Sequence, residues 1–267
     1  MAEAPQNEPE ARAENRLIAF EQPLSERMRT FLRVEFLHSQ ALLHSRPEAA
    51  YAARAAIANL LEILAITGRG DLRADALKEL DRHMLRLTHF RQSPGVDAER
   101  LARLIEEVDR TRRALSDAGK QFLVALRENE FLSAIRHRSS IPGGTCMFDL
   151  PDYGYWLNLP RAERSEQLRS WLGHLKPLCD SIDQILWLTR EASTPARTLA
   201  DRGLYQHTLG KEENVELIRV LVARASGLYP EISAGQHRFT VRFVEWQGTE
   251  QRARQTGGDV TFFLALC

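Results

Sequence analysis

Apolar side chains recur at three- and four-residue spacing from Met28 to about Arg190, and beyond Ser193 they alternate in short runs. This single change of period constrains the fold more than any other feature, because a helix repeats every 3.6 residues and a strand every two. Helices first and strands afterwards, without interleaving, predict an α+β chain: a mainly helical N-terminal domain joined to a C-terminal antiparallel β-domain. Residues 1–17, rich in Ala, Glu, Pro and Asn, have little to bury and read as a disordered tail. Residues 18–195 form the helical domain and 196–267 the β-domain, with the segment 140–160 expected to contribute to the latter.

Start and stop signals place the helices. Ser25 reads as an N-cap, with Glu26 in the first turn and Met28, Phe31, Leu32, Phe36 and Leu37 near helical spacing. Pro47 suits the first position of a second helix, which ends at Thr67 and Gly68. A third helix spans Leu72 to Phe90, and a fourth, capped by Asp97, is interrupted or kinked at Gly119. Further helices are expected from Arg161 to Leu175 and, with Pro177 again at a first position, to about Arg190.

Four strand-like runs follow, at Leu199–Leu209, Val215–Ala223, Arg238–Trp246 and Val260–Leu266, separated by Gly, Pro, Asn and Asp clusters. In HRFTVRFVEW the period of two puts Arg238, Thr240, Arg242 and Val244 on one face and Phe239, Val241 and Phe243 on the other. The phenylalanine face can bury, leaving two guanidiniums to meet something acidic.

Composition removes several alternatives. Lys plus Arg number 36 and Asp plus Glu 36, so no global field draws the chain to nucleic acid or membrane, and no basic stripe with interleaved aromatics is present. No apolar run approaches the ~20 residues of a membrane span, and the polar N-terminus is unlike a signal peptide, so a cytoplasmic location is expected. Cys146, Cys179 and Cys267 have neither metal spacing nor an even count, so free thiols are expected. His38 and His44, like His83 and His89, are six apart and off a common helical face, which disfavours metal binding. Glu79 and Asp81 in KELDR read as a solvated face beside Lys78 and Arg82. Cys146 lacks a histidine placed to activate it, and Tyr153, Tyr155 and Trp156 read as packing aromatics.

SIPGGTCMFDLP, Ser140 to Pro151, has a helix-stopping proline and two glycines, and a tight turn into a strand is expected after it. It lacks the lysine and spacing of a phosphate-binding loop. The segment resembles the signature of the ZapD family of bacterial cell-division proteins. FEQPLSERMRTFLRVEFL (Phe20 to Leu37), LKELDR (Leu77 to Arg82), PGVD (Pro94 to Asp97), HRFTVRF (His237 to Phe243) and FFLALC (Phe262 to Cys267) resemble family blocks in the same order.

The resemblance implies a helical domain joined to a β-domain, a symmetric homodimer, and no enzymatic activity or cofactor. It implies a protein acting at midcell with the Z-ring, which binds the C-terminal tail of the tubulin-like GTPase FtsZ and crosslinks its filaments. The family's tail-binding basic positions fall on Arg69 in TGRGDLR and on Arg238 and Arg242 in HRFTVRF; Arg33 in FLRVEFL falls on a further basic position. Glu130 stands where some relatives carry a basic residue, and Gly154 where some carry histidine. A competing class is an enzyme with an unrecognised site between the domains.

Overall fold

The computed structural model describes residues 16–45, 50–91, 93–119, 121–210, 214–235 and 237–267. Residues 1–15, which hold most of the expected tail, and Pro47 lie outside the described residues. The described residues form two compact units, one within 30–188 and the other made of 16–29 with 189–267.

The first unit is helical. It comprises most of α1 (Glu26–His44), then α2 (Ala50–Thr67), α3 (Leu72–Phe90), α4 (Ala98–Asp117), the single turn α5 (Val124–Arg127), α6 (Glu130–Ser139), α7 (Pro151–Leu157) and most of α8 (Arg161–Glu191). Capping follows the sequence signals: the Met28 amide donates to Ser25 Oγ, the Arg100 amide to Asp97 Oδ1 and the Leu132 amide to Asn129 Oδ1. Gly119, at φ 74°, follows the end of α4 in the left-handed region. Arg73 reaches the carbonyls of Leu115 and Ser116 while Asp81 meets Arg112, so α3 and α4 run antiparallel. α2 is long and apolar enough, by length and composition, to cross a membrane, contrary to the expectation that no run comes close. Eight of its residues, among them Ala56, Ile57, Leu60 and Leu64, are buried inside the protein.

Three expectations are overturned in this unit. The segment after Pro142 does not enter a strand: turns lead to Pro151, which occupies the first turn of α7, and the segment belongs to the helical unit. Pro177 does not begin a helix but lies inside the 31-residue α8. A proline there removes one hydrogen bond at about 3 kcal/mol, which the buried Leu172, Leu175, Leu178 and Ile182 around it offset. The KELDR segment is not wholly solvated, since Glu79 is 1% exposed and pairs with Arg82.

The second unit is built of two antiparallel sheets. β1 (Leu17–Pro23), β4 (Leu217–Ala223), β8 (Val260–Leu266) and β2 (Ala196–Ala200) form one, in the order β1-β4-β8-β2. β3 (Leu204–Thr208), β6 (Arg238–Glu245) and β5 (Leu228–Ala234) form the other, in the order β3-β6-β5, and β7 (Arg254–Gln255) pairs with the end of β6. Leu17, assigned to the tail from sequence, instead opens β1 opposite Ala223, and β1 places an N-terminal segment inside the β-rich unit.

The chain passes from β2 to β3 through Arg202 and Gly203, both at positive φ, as a two-residue turn requires. A Cβ at Gly203 would come within 2.7 Å of the Thr256 carbonyl, so glycine is the residue that fits. One core fills the unit: Ile218, Val220 and Val222 from β4, Phe239, Val241 and Phe243 from β6, and Val260, Phe262 and Leu264 from β8. The Phe243 and Phe262 rings meet at 4.9 Å. Each such side chain contributes about 1.5–3 kcal/mol, and this row fixes which side of β6 faces outward.

Candidate partner-binding surfaces

Because Phe239, Val241 and Phe243 are buried, the alternate positions Arg238, Thr240 and Arg242 must project from the opposite face, and both arginines are exposed. Their separation along an extended strand is about 13 Å. Val244, expected to share that face in the open, is 1% exposed and sits opposite Tyr229 and Gln255 where β5 and β7 flank the strand end. The exposed surface therefore narrows to Arg238, Thr240 and Arg242 with their cross-strand neighbours.

Those neighbours set its electrostatics. Arg242 lies between Leu204 of β3 and Glu231 of β5. Its Nε donates to Glu231 Oε2 at 3.0 Å, and Nη2 contacts the same oxygen. Arg238 lies opposite Thr208, and its guanidinium has no hydrogen-bond or ion-pair partner among the described residues. The face thus carries one open cation and one cation held by an exposed carboxylate. Glu231 could not be foreseen, because Pro230 argues against a strand and β5 was not expected. A proline is tolerated there because β5 is a sheet edge.

Arg69 belongs to the helical unit, where TGRGD links α2 to α3. Gly68 and Gly70 flank it, Asp71 caps α3 by accepting from the Ala74 amide at 3.0 Å, and Arg69 is exposed at a cleft of about 470 Å³. Leu72, Phe122, Leu123 and Leu178 supply apolar walls. Two further arginines line it and are structurally engaged. Arg127 donates to the Thr67 carbonyl at 2.9 Å, at the negative end of α2, and Arg73 bonds the α4 carbonyls. Arg69 has no such partner among the described residues, so its charge is available to a ligand. The sequence carries no local signal for Arg73 or Arg127, since both reach across tens of residues. Arg33 is exposed on α1, three residues before the exposed Phe36, so a cation and an apolar ring are neighbours there. Arg69 and Arg33 thus lie in the helical unit, and Arg238 and Arg242 in the strand unit.

Among the described residues no group of three or more His, Cys, Asp and Glu is arranged to hold a metal. Cys146 lies in a turn with its Sγ 3.6 Å from Asp149, Cys179 is buried with its thiol pushed up by desolvation, and Cys267 is half-buried with its thiol raised by the same cause. Tyr153, Phe131, Trp156 and Trp171 form a packed aromatic cluster, with the Arg54 guanidinium 5.1 Å from the Tyr153 ring centre. Gly154 lies beneath Met147, and a Cβ there would come within 2.7 Å of Met147 Cγ, so no larger side chain fits without displacing it. Glu130 occupies the first turn of α6, where a carboxylate suits the positive helix end and a basic residue would not.

The profile of the family described as "ZapD: Cell division protein" matches residues 32–242. The chain is 36% identical over 251 residues to a protein named cell division protein ZapD from Azoarcus sp. (strain BH72), covering 94% of this chain and 99% of that one. It is 37% identical over 251 residues to the protein of that name from Chromobacterium violaceum, covering 94% of this chain and 99% of the relative. It is 38% identical over 229 residues to the one from Klebsiella pneumoniae (strain 342), covering 85% and 90%. With a helical region followed by antiparallel sheets and matches over most of its length, the chain belongs to the ZapD family of cell division proteins.

Proposed function

We propose that the protein is a non-enzymatic, cytoplasmic division factor that binds the C-terminal tail of FtsZ and, as a homodimer, crosslinks FtsZ filaments at midcell, promoting Z-ring assembly. The observation that carries this reading is the outward row Arg238–Thr240–Arg242 on a strand whose other face is anchored by Phe239 and Phe243. Guanidiniums projecting from one face of an anchored strand suit a carboxylate-bearing peptide, since the planar fork grips a carboxylate at two points. Arg69, beside apolar walls, suits a peptide with both acidic and hydrophobic side chains, and Arg33 beside Phe36 offers a smaller surface of the same character.

Ordering a flexible tail costs about 2–5 kcal/mol, so one site binds weakly. A dimer meeting polymerised tails gains avidity, and weak contacts then bundle filaments. Co-sedimentation with polymerised FtsZ, with and without its tail, tests the reading. Arg238→Glu with Arg242→Glu is expected to abolish tail-dependent sedimentation while circular dichroism and molecular mass stay those of the parent. Undiminished bundling by that double variant, or by a proven monomer, refutes the proposal.

A further inference from the structure

A second cleft, of about 540 Å³, opens between α1 and α8 within the helical unit. Its α8 wall carries Arg161, Arg169 and Lys176 at intervals of about two helical turns, so the three cations share one face. The Arg169 guanidinium is exposed and has no partner among the described residues, while Lys176 holds Asp180 at 2.5 Å. One end is closed where Ser165 Oγ donates to the Ser45 carbonyl at 3.4 Å. Gly173 presents no side chain, and a Cβ there would meet nothing within 4 Å, which leaves the middle of the wall open.

The opposite wall holds an imidazole. His38 is 6% exposed, lines the cleft, and has no hydrogen bond to its ring among the described residues. The ring is buried on its other sides, so its polar edge is open to whatever occupies the cleft, water or a ligand. Leu42 and Leu172 provide apolar surface beside it. The volume lies in the range of small-molecule sites, and the cationic row favours a dianion over a single carboxylate.

We propose that this cleft binds a small organic phosphate. Arg169 and Lys176 hold the phosphate, the His38 ring N–H donates to a ligand oxygen, and an apolar body rests on Leu42 and Leu172. Phenyl phosphate is the probe, titrated into the full chain and followed by ligand-observed NMR, with inorganic phosphate and phenol as separate arms. Phenyl phosphate is expected to saturate, with an affinity exceeding that of either arm. Arg169→Gln is expected to weaken binding about tenfold or more, the effect of losing a hydrogen bond from a charged group. Arg69→Gln, in the other cleft, is expected to bind as the parent does. His38→Gln should also weaken binding; if that buried substitution prevents folding, the exposed Arg169→Gln decides alone. Absence of saturation, equal binding by Arg169→Gln, or inorganic phosphate binding as tightly as phenyl phosphate overturns the proposal.

Discussion

Glu231 is the internal competitor for any acidic ligand of Arg242, and neutralising it is expected to tighten tail binding. The two side chains are 50% and 47% exposed, so their pair belongs to the solvent-screened class worth about 0.2–1 kcal/mol. A ligand carboxylate that takes the Nε–Nη2 edge of Arg242 must first displace Glu231 and forgo that amount. Glu231→Gln removes the competition, and affinity is expected to rise by about 1.4- to 5-fold. Fluorescence anisotropy of a labelled FtsZ tail peptide at fixed ionic strength measures the change. The same substitution in an Arg242→Gln background should leave affinity nearly unchanged, because the guanidinium that transmits the effect is gone. The melting temperature should fall by no more than about 4 °C. Unchanged or weaker binding by Glu231→Gln, or an equal gain in the Arg242→Gln background, refutes Arg242 as a direct contact.

Three other outcomes concern stability. Glu21 accepts from Arg190 at 2.9 and 2.8 Å and from Arg219 at 2.9 Å, with all three largely shielded; Glu21→Ala strands two cations and is expected to cost about 2–3 kcal/mol in urea titrations, below the range for fully buried pairs. A loss under about 0.5 kcal/mol would show the cluster to be ornamental. Burial pushes Tyr153 up to about 12 from 10.0; the unfolded chain therefore ionises first, so stability falls between these pH values by at most about 1.4 kcal/mol per pH unit, and Tyr153→Phe should flatten the slope. Burial also lowers His38 below 6.5, opposed by Asp180 and reinforced by Lys176; as pH drops through that value the unfolded state gains its proton first, stability falls, and His38→Gln should remove the dependence.

How much was legible in the chain depended on whether an element's cause was local. β6 could be read from alternation, because a phenylalanine row opposite an arginine row admits one burial pattern, and α3 matches its expected Leu72–Phe90 span because its apolar spacing lies within it and its cap, Asp71, directly precedes it. β1 could not, because LIAFEQP becomes a strand only by pairing with β4, some two hundred residues later, and Leu17 and Ile18 stay exposed. Pro177 misled because its usual helix-starting role was outweighed by buried leucines on both sides. Glycines and a proline at 142–144 signalled a turn correctly but could not say that a helix follows. Of the site, the strand arginines followed from periodicity, whereas Arg69 and Arg33 rested on family resemblance alone, since neither stands in a pattern that distinguishes it from other surface arginines.

The pairing of β1 with β4 and the central place of β8 impose an order on biosynthesis. The ribosome delivers β1 first, yet its hydrogen-bonding partner β4 emerges only after α1 to α8 have been made, and β8, which bridges β4 to β2, comes later still. Helices close short loops and can settle during translation, whereas this sheet must wait for its final strand. A nascent chain therefore carries an unpaired leading strand until β4 emerges, and loss of β8 would remove an interior strand instead of a peripheral one.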